Sequence, residues 1–211
     1  MITKKNKSRI LIFLALAFGI SWITGLIIYL TGGLENSPAL NIAGLPISLA
    51  FVLMAAFYMF GPAMANLLTR WITKEGKQGL SLRLQLKDRR WVYYLAAWFL
   101  PSLLILAGTG LFFLFFPAYF DSNLNTLKAQ LESTGVLPEM NLWGIVAAQT
   151  FQAMLISPLL NAIPTFGEEF GWRGYLQPKL MPLGGRKAVL LVGVIWGVWH
   201  WPVILMGYNY G

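Results

Sequence analysis

Four ionisable residues lie in or against apolar sequence near the end of this 211-residue chain: Glu168, Glu169, Arg173 and His200, the last its only histidine. A charged side chain at membrane depth is expensive and marks a functional site with a partner to be named. In the stretch Gly167-Glu168-Glu169-Phe170-Gly171-Trp172-Arg173-Gly174, helical geometry puts Glu169 and Arg173 at i,i+4, where they pair. Glu168 then lies about 100° round the same helix and is left to face another element. Gly167 and Gly171 predict a stripe on which a neighbouring helix approaches closely. Downstream, Gly193, Trp196, Gly197 and His200 share one helical face. Contact between these two glycine-bearing faces is expected to set Glu168 against His200.

A carboxylate in apolar surroundings is a stronger base, suited to taking a proton from water near neutral pH. A nearby histidine can hold or polarise the same water, or protonate a leaving amine. Together they suit hydrolysis of an amide bond by an activated water. The residues alone leave a second reading open, in which Glu169–Arg173 is a structural ion pair and His200 sits in an interfacial belt with Trp196, Trp199 and Trp201. Intramembrane Glu and His also occur in proton relays, but no inverted repeat supports a transporter. Zinc could draw only on His200, Glu168 and Glu169. There is no HExxH motif and no cysteine, so neither a metal nor a cofactor is expected.

The elements that must position these groups are apolar helices. Hydrophobic residues make up 57% of the chain and charged residues only 11%, against about 25% charged in a soluble domain. The apolar residues fall in runs of about 20, enough to cross the hydrocarbon core of a bilayer. Continuous runs rather than alternation select helices over a barrel. The expected fold is all-α: a polytopic transmembrane bundle of about five spans forming one membrane domain over residues 1–211. The spans are Ile10–Leu30, Pro46–Thr69 with Gly61-Pro62 inside, Trp91–Phe116 with Pro101 inside, a fourth from Leu142 through Pro158 towards Pro164, and Lys187–Met206. Pro178 is expected to end or bend the helix that carries Arg173.

The net charge of +8 invites a nucleic-acid reading, but its distribution argues otherwise. All the lysines and arginines except Lys128 fall at the N-terminus, between spans two and three, or between spans four and five. This positive-inside pattern places the N-terminus in the cytoplasm of a multi-pass cell-membrane protein. The expected partners are membrane lipids and a membrane-bound substrate, with no nucleic acid. The alternating, then basic, segment Leu80–Arg90 is a topogenic loop or an interfacial element on anionic headgroups.

Two motifs in order, Glu168-Glu169-Phe170-Gly171-Trp172-Arg173 and Trp196-Gly197-Val198-Trp199-His200, resemble those of the CPBP family over about residues 160–202. That family contains the CAAX prenyl endopeptidases and the bacteriocin-processing or bacteriocin-immunity (ABI) proteins. The resemblance implies an intramembrane glutamate endopeptidase acting on a membrane-bound peptide or protein. In it Glu168 is the general base and His200 positions water or stabilises charge. Glu169 and Arg173, with Trp196, support the site. It also implies a third motif, His-x-x-x-Asn on a later helix, which these 211 residues do not contain. The expectation is a chain lacking the family's C-terminal helices. The alternative reading is a non-proteolytic bacteriocin-immunity or binding protein.

Overall fold

The computed structural model describes residues 2–77, 79–80, 82, 86–133 and 141–208. Among the described residues, four segments are long and apolar enough to cross a membrane: Lys4–Leu30, Leu49–Ile72, Trp91–Phe115 and Leu142–Leu183. The chain is an all-α polytopic helix bundle with one short hairpin, organised as two compact units, Met1–Leu82 with Ala162–Gly211, and Arg83–Asn161.

In the first unit, helix α1 (Lys4–Leu30) starts six residues before the apolar run. The Thr3 side chain caps it by accepting from the Asn6 N–H at 3.3 Å. An antiparallel hairpin follows, β1 (Ala39–Ile42) and β2 (Leu45–Ser48), turning through Ala43 and Gly44, both at positive φ (53° and 85°). Two positive φ values in a two-residue loop match the right-handed twist of the strands. The second span therefore begins at Leu49 rather than at Pro46, because Pro46 pairs in the hairpin and Ser48 caps the helix. This span runs as α2 (Leu49–Leu53), a π-helical turn (Met54–Tyr58) and α3 (Gly61–Ile72).

Helix α1 packs on α3 through small residues. A Cβ on Gly61 would sit 2.1 Å from Ser21 Oγ. Pro62 has no N–H to give the Tyr58 carbonyl four residues earlier, and the Ser21 hydroxyl donates to that carbonyl instead, at 2.8 Å. Such replacement of a lost backbone donor is what lets proline persist in membrane helices.

The second unit holds α4 (Trp91–Phe115), α5 (Asn125–Ser133) and α6 (Leu142–Leu155). No residue of α4 or α6 is buried. Indole N–H groups tie this unit together: Trp98 donates to the Met154 carbonyl at 3.0 Å and Trp143 to the Ser122 carbonyl at 3.2 Å.

The site-bearing helix α7 (Ser157–Gly171) continues through a second π-helical turn (Trp172–Leu176) into α8 (Gln177–Leu180) and ends at Gly184, φ 99°. Pro178 therefore does not stop the helix. It falls in the first turn of α8, just after the Gln177 N–H has bonded the Trp172 carbonyl, a register shift that absorbs the missing donor. Helix α9 (Gly185–Trp199) is only 15 residues long and breaks at His200 before α10 (Trp201–Leu205). The fifth expected span is thus two pieces rather than one crossing helix, because Pro202 cannot continue the ladder. In the Leu80–Arg90 segment, residues 81 and 83–85 lie outside the described residues, as does Glu139.

Candidate active site

The carboxylate expected to face another element does so. Glu168, 7% exposed, accepts a hydrogen bond at its Oε2 from the Trp196 indole N–H at 2.9 Å, and His200 Nε2 lies 4.0 Å from the same oxygen. The imidazole is fixed from its other side, with Nδ1 2.9 Å from the Trp196 carbonyl. That carbonyl only accepts, so Nδ1 carries the proton, and in the neutral ring Nε2 presents its lone pair to Glu168. Four ångström is too long for a direct hydrogen bond and leaves the two groups to share a bridging partner.

A cavity of 30 Å³ opens beside the pair, walled by Met54, Tyr58, Met59 and Val203. A single water needs about 10–15 Å³, so one water fits against both polar groups. Among the described residues, no three His, Cys, Asp or Glu side chains converge.

Glu169 pairs with Arg173 through Oε1 and Nη1, as the i,i+4 spacing predicts. The Arg173 guanidinium also sits 5.6 Å from the centre of the Trp196 ring, so Trp196 is held by a cation on its face while its N–H serves Glu168.

One expectation is corrected. The Gly167/Gly171 stripe does not meet the glycines of α9. A Cβ on Gly167 would lie 2.8 Å from the Met59 carbonyl oxygen, and one on Gly171 2.3 Å from Pro62 Cβ. The stripe therefore seats α7 on the second span, while Gly193 and Gly197 have nothing within 4 Å. Large side chains bring α9 to Glu168 instead. Trp199 is fully buried with its ring centre 5.7 Å from Trp172 and 4.7 Å from Tyr58.

Sequence reasoning also missed the residues the second span contributes. Tyr58 lines the cavity, and Asn66, fully buried, donates to the Phe170 carbonyl at 2.8 Å, just before the π-helical turn. The break signalled by Gly61-Pro62 was the available hint to Tyr58, and nothing in the pattern singled out Asn66.

A second cluster forms around Glu75, which lies beyond the end of the second span. Glu75 is bound by Lys179 at 2.5 Å, by the Tyr175 hydroxyl at 2.9 Å and by Arg9 at 3.4 Å. It joins the start of α1, the end of α3 and α8. Burial pushes the Glu75 carboxyl up, but the hydrogen bonds from Lys179 and Tyr175 and the charges of Lys179 and Arg9 outweigh it and hold it below its ordinary value.

Apolar helices long enough to span, together with a buried carboxylate that has a half-buried imidazole beside it, mark a membrane protein. Residues 148–210 match the sequence model of the family described as Type II CAAX prenyl endopeptidase Rce1-like. A CAAX prenyl protease 2 of Methanococcus maripaludis is 42% identical over 53 residues, which are 25% of this chain and 19% of that protein. No solved structure matches. The C-terminal third of the chain, which carries both motifs, is thus similar to the CAAX prenyl endopeptidases. The chain covers about a fifth of the length of the curated relative it matches.

Proposed function

We propose that this chain carries the water-activating half of an intramembrane endopeptidase of CAAX-protease type, with Glu168 as general base and His200 as its partner. The observation that carries this reading is the buried Glu168 carboxylate, one oxygen of which accepts from the Trp196 N–H and lies 4.0 Å from His200 Nε2 beside a water-sized cavity. Water in that cavity gives one proton to Glu168. The resulting hydroxide adds to the carbonyl carbon of the scissile amide. Collapse of the tetrahedral adduct breaks the C–N bond as the proton passes to the departing amine, with His200 orienting the water and stabilising charge.

Trp196 keeps the carboxylate pointed at the cavity, and the Glu169–Arg173 pair holds Trp196 through the guanidinium on its face. The substrate class is the C-terminal segment of a lipid-modified, membrane-bound peptide or protein. The positive-inside charge pattern favours a cytoplasmic N-terminus in a multi-pass cell-membrane protein.

The test is cleavage of a prenylated, fluorescence-quenched C-terminal peptide by the protein in lipid nanodiscs. Glu168→Gln keeps the shape and the Trp196 acceptor but loses the base, and kcat is expected to fall at least about a hundredfold. Wild-type cleavage that Glu168→Gln matches removes Glu168 from the chemistry, and no cleavage by the wild type removes the protease reading.

A further inference from the structure

The break between α9 and α10 rewires four backbone groups. The His200 N–H bonds the Gly197 carbonyl at 3.2 Å, one residue short of the helical partner. This frees the Trp196 carbonyl, and the imidazole Nδ1 takes it. The Val203 N–H bonds the His200 carbonyl at 3.1 Å instead of reaching Trp199. The Trp199 carbonyl is thereby left to other donors, and two converge on it from different elements. The Tyr58 hydroxyl donates at 2.6 Å from the π-helical turn of the second span, and the Trp22 indole N–H donates at 3.2 Å from α1. A buried carbonyl without donors is costly, so these two bonds favour the broken register over a regular helix.

We infer that Tyr58 and Trp22 are positioning residues that lock this break and thereby dictate which nitrogen of His200 faces Glu168. The inference rests on the functional reading above for its kinetic consequence, but its structural consequence stands alone. Pro202 interrupts the ladder only at the Val198 carbonyl, so without the two donors the Val203 N–H is free to return to the Trp199 carbonyl and the His200 N–H to the Trp196 carbonyl. The imidazole then loses the acceptor that keeps the proton on Nδ1, and Nε2 is no longer aimed at Glu168.

Tyr58 also lines the cavity, but its single O–H proton is committed to the Trp199 carbonyl, so its part here is to hold the break. Its own place is set from behind. Ser21 donates to the Tyr58 carbonyl, and the Tyr58 ring packs against the Trp199 ring and within 3.3 Å of where a Cβ on Gly25 would lie.

His200 is the only histidine, so ¹⁵N-histidine labelling yields one imidazole, whose proton-bearing nitrogen is read directly from long-range ¹H–¹⁵N spectra. The wild type in nanodiscs is expected to show the Nδ1–H tautomer. Tyr58→Phe, which keeps the packed ring and removes only the hydroxyl, is expected to admit the second tautomer, and Tyr58→Phe with Trp22→Phe to populate both. Trp98→Phe removes an indole–carbonyl bond of the same kind in the other unit and is expected to leave the wild-type spectrum. With the prenylated peptide, kcat is expected to fall about tenfold in Tyr58→Phe and about a hundredfold in the double variant, with KM within about twofold.

An unchanged imidazole spectrum in Tyr58→Phe overturns the inference, whether or not the double variant folds. So does an active wild type whose kcat Tyr58→Phe retains. A shifted tautomer in a protein that cleaves nothing leaves the positioning role standing and removes the protease reading, so the two failures are distinguishable.

Discussion

Replacing Gly171 by alanine tests the packing that holds Glu168 in place. An added Cβ would meet the Pro62 ring at 2.3 Å, the Pro62 carbonyl carbon at 2.5 Å and its oxygen at 2.6 Å. None of these is the end of a flexible side chain, so α7 itself must back away, by about 1 Å to regain ordinary contact. Glu168 lies one turn earlier on α7, and its 2.9 Å bond from Trp196 would stretch towards 4 Å, beyond hydrogen bonding. Overpacking of this kind costs about 1–3 kcal/mol, and a hydrogen bond to a charged group about 1.5–3 kcal/mol, so a destabilisation of about 2.5–6 kcal/mol is expected. Gly193→Ala is the matched comparison: it also adds one methyl to a helix interior, but nothing lies within 4 Å, and a gain of about 0.5–1 kcal/mol follows from helix propensity. Reversible unfolding in mixed micelles, followed by tryptophan fluorescence, measures both. Equal stability of the two variants would refute the close seating of α7 on the second span.

Three further outcomes follow from other contacts. Because the Glu75 carboxyl is held below its ordinary value, 4.5, in the folded chain, its pairing stabilises the fold fully above that pH and is lost as pH falls through the folded value. Unfolding temperature should therefore drop below about pH 4.5 in the wild type, with a smaller acid-dependent drop in Glu75→Gln; parallel curves would show that the cluster contributes nothing. Asn66→Ala removes the donor to the Phe170 carbonyl and should cost about 1–3 kcal/mol in the same unfolding assay, whereas a neutral result would mean that another donor replaces it. Trp196→Phe keeps an aromatic face for Arg173 but removes the N–H bound to Glu168, and should lower kcat about tenfold or more while Arg173 stays in place; unchanged kcat would show that the indole N–H does not orient the base.

The local pairings were legible in the sequence because helical spacing fixes them without reference to the rest of the fold. Glu169 and Arg173 pair at i,i+4, Glu168 is turned to another element, and the apolar runs give spanning helices wherever they are long enough. The same pattern left Pro178 as an end or a bend, and the helix does not end there, since a proline stops a helix only when no register shift absorbs its missing N–H, and the π-helical turn at Trp172–Leu176 supplies that shift. Which neighbour fills a glycine stripe is not a property of the stripe. Gly167 and Gly171 accept any close partner, and only the packing of α3 made it Pro62 and its neighbours rather than α9. The side chains behind His200 follow the same logic. Pro202 marks a break in the ladder, but the donors for the Trp199 carbonyl come from Trp22 and Tyr58, 177 and 141 residues away in the chain. Local periodicity carries no information at such separations. The sequence alone determined how the charged groups pair along one helix, while tertiary packing decided which of them is buried and what faces it, because a freed carbonyl or a bare glycine specifies the need for a partner and not its identity.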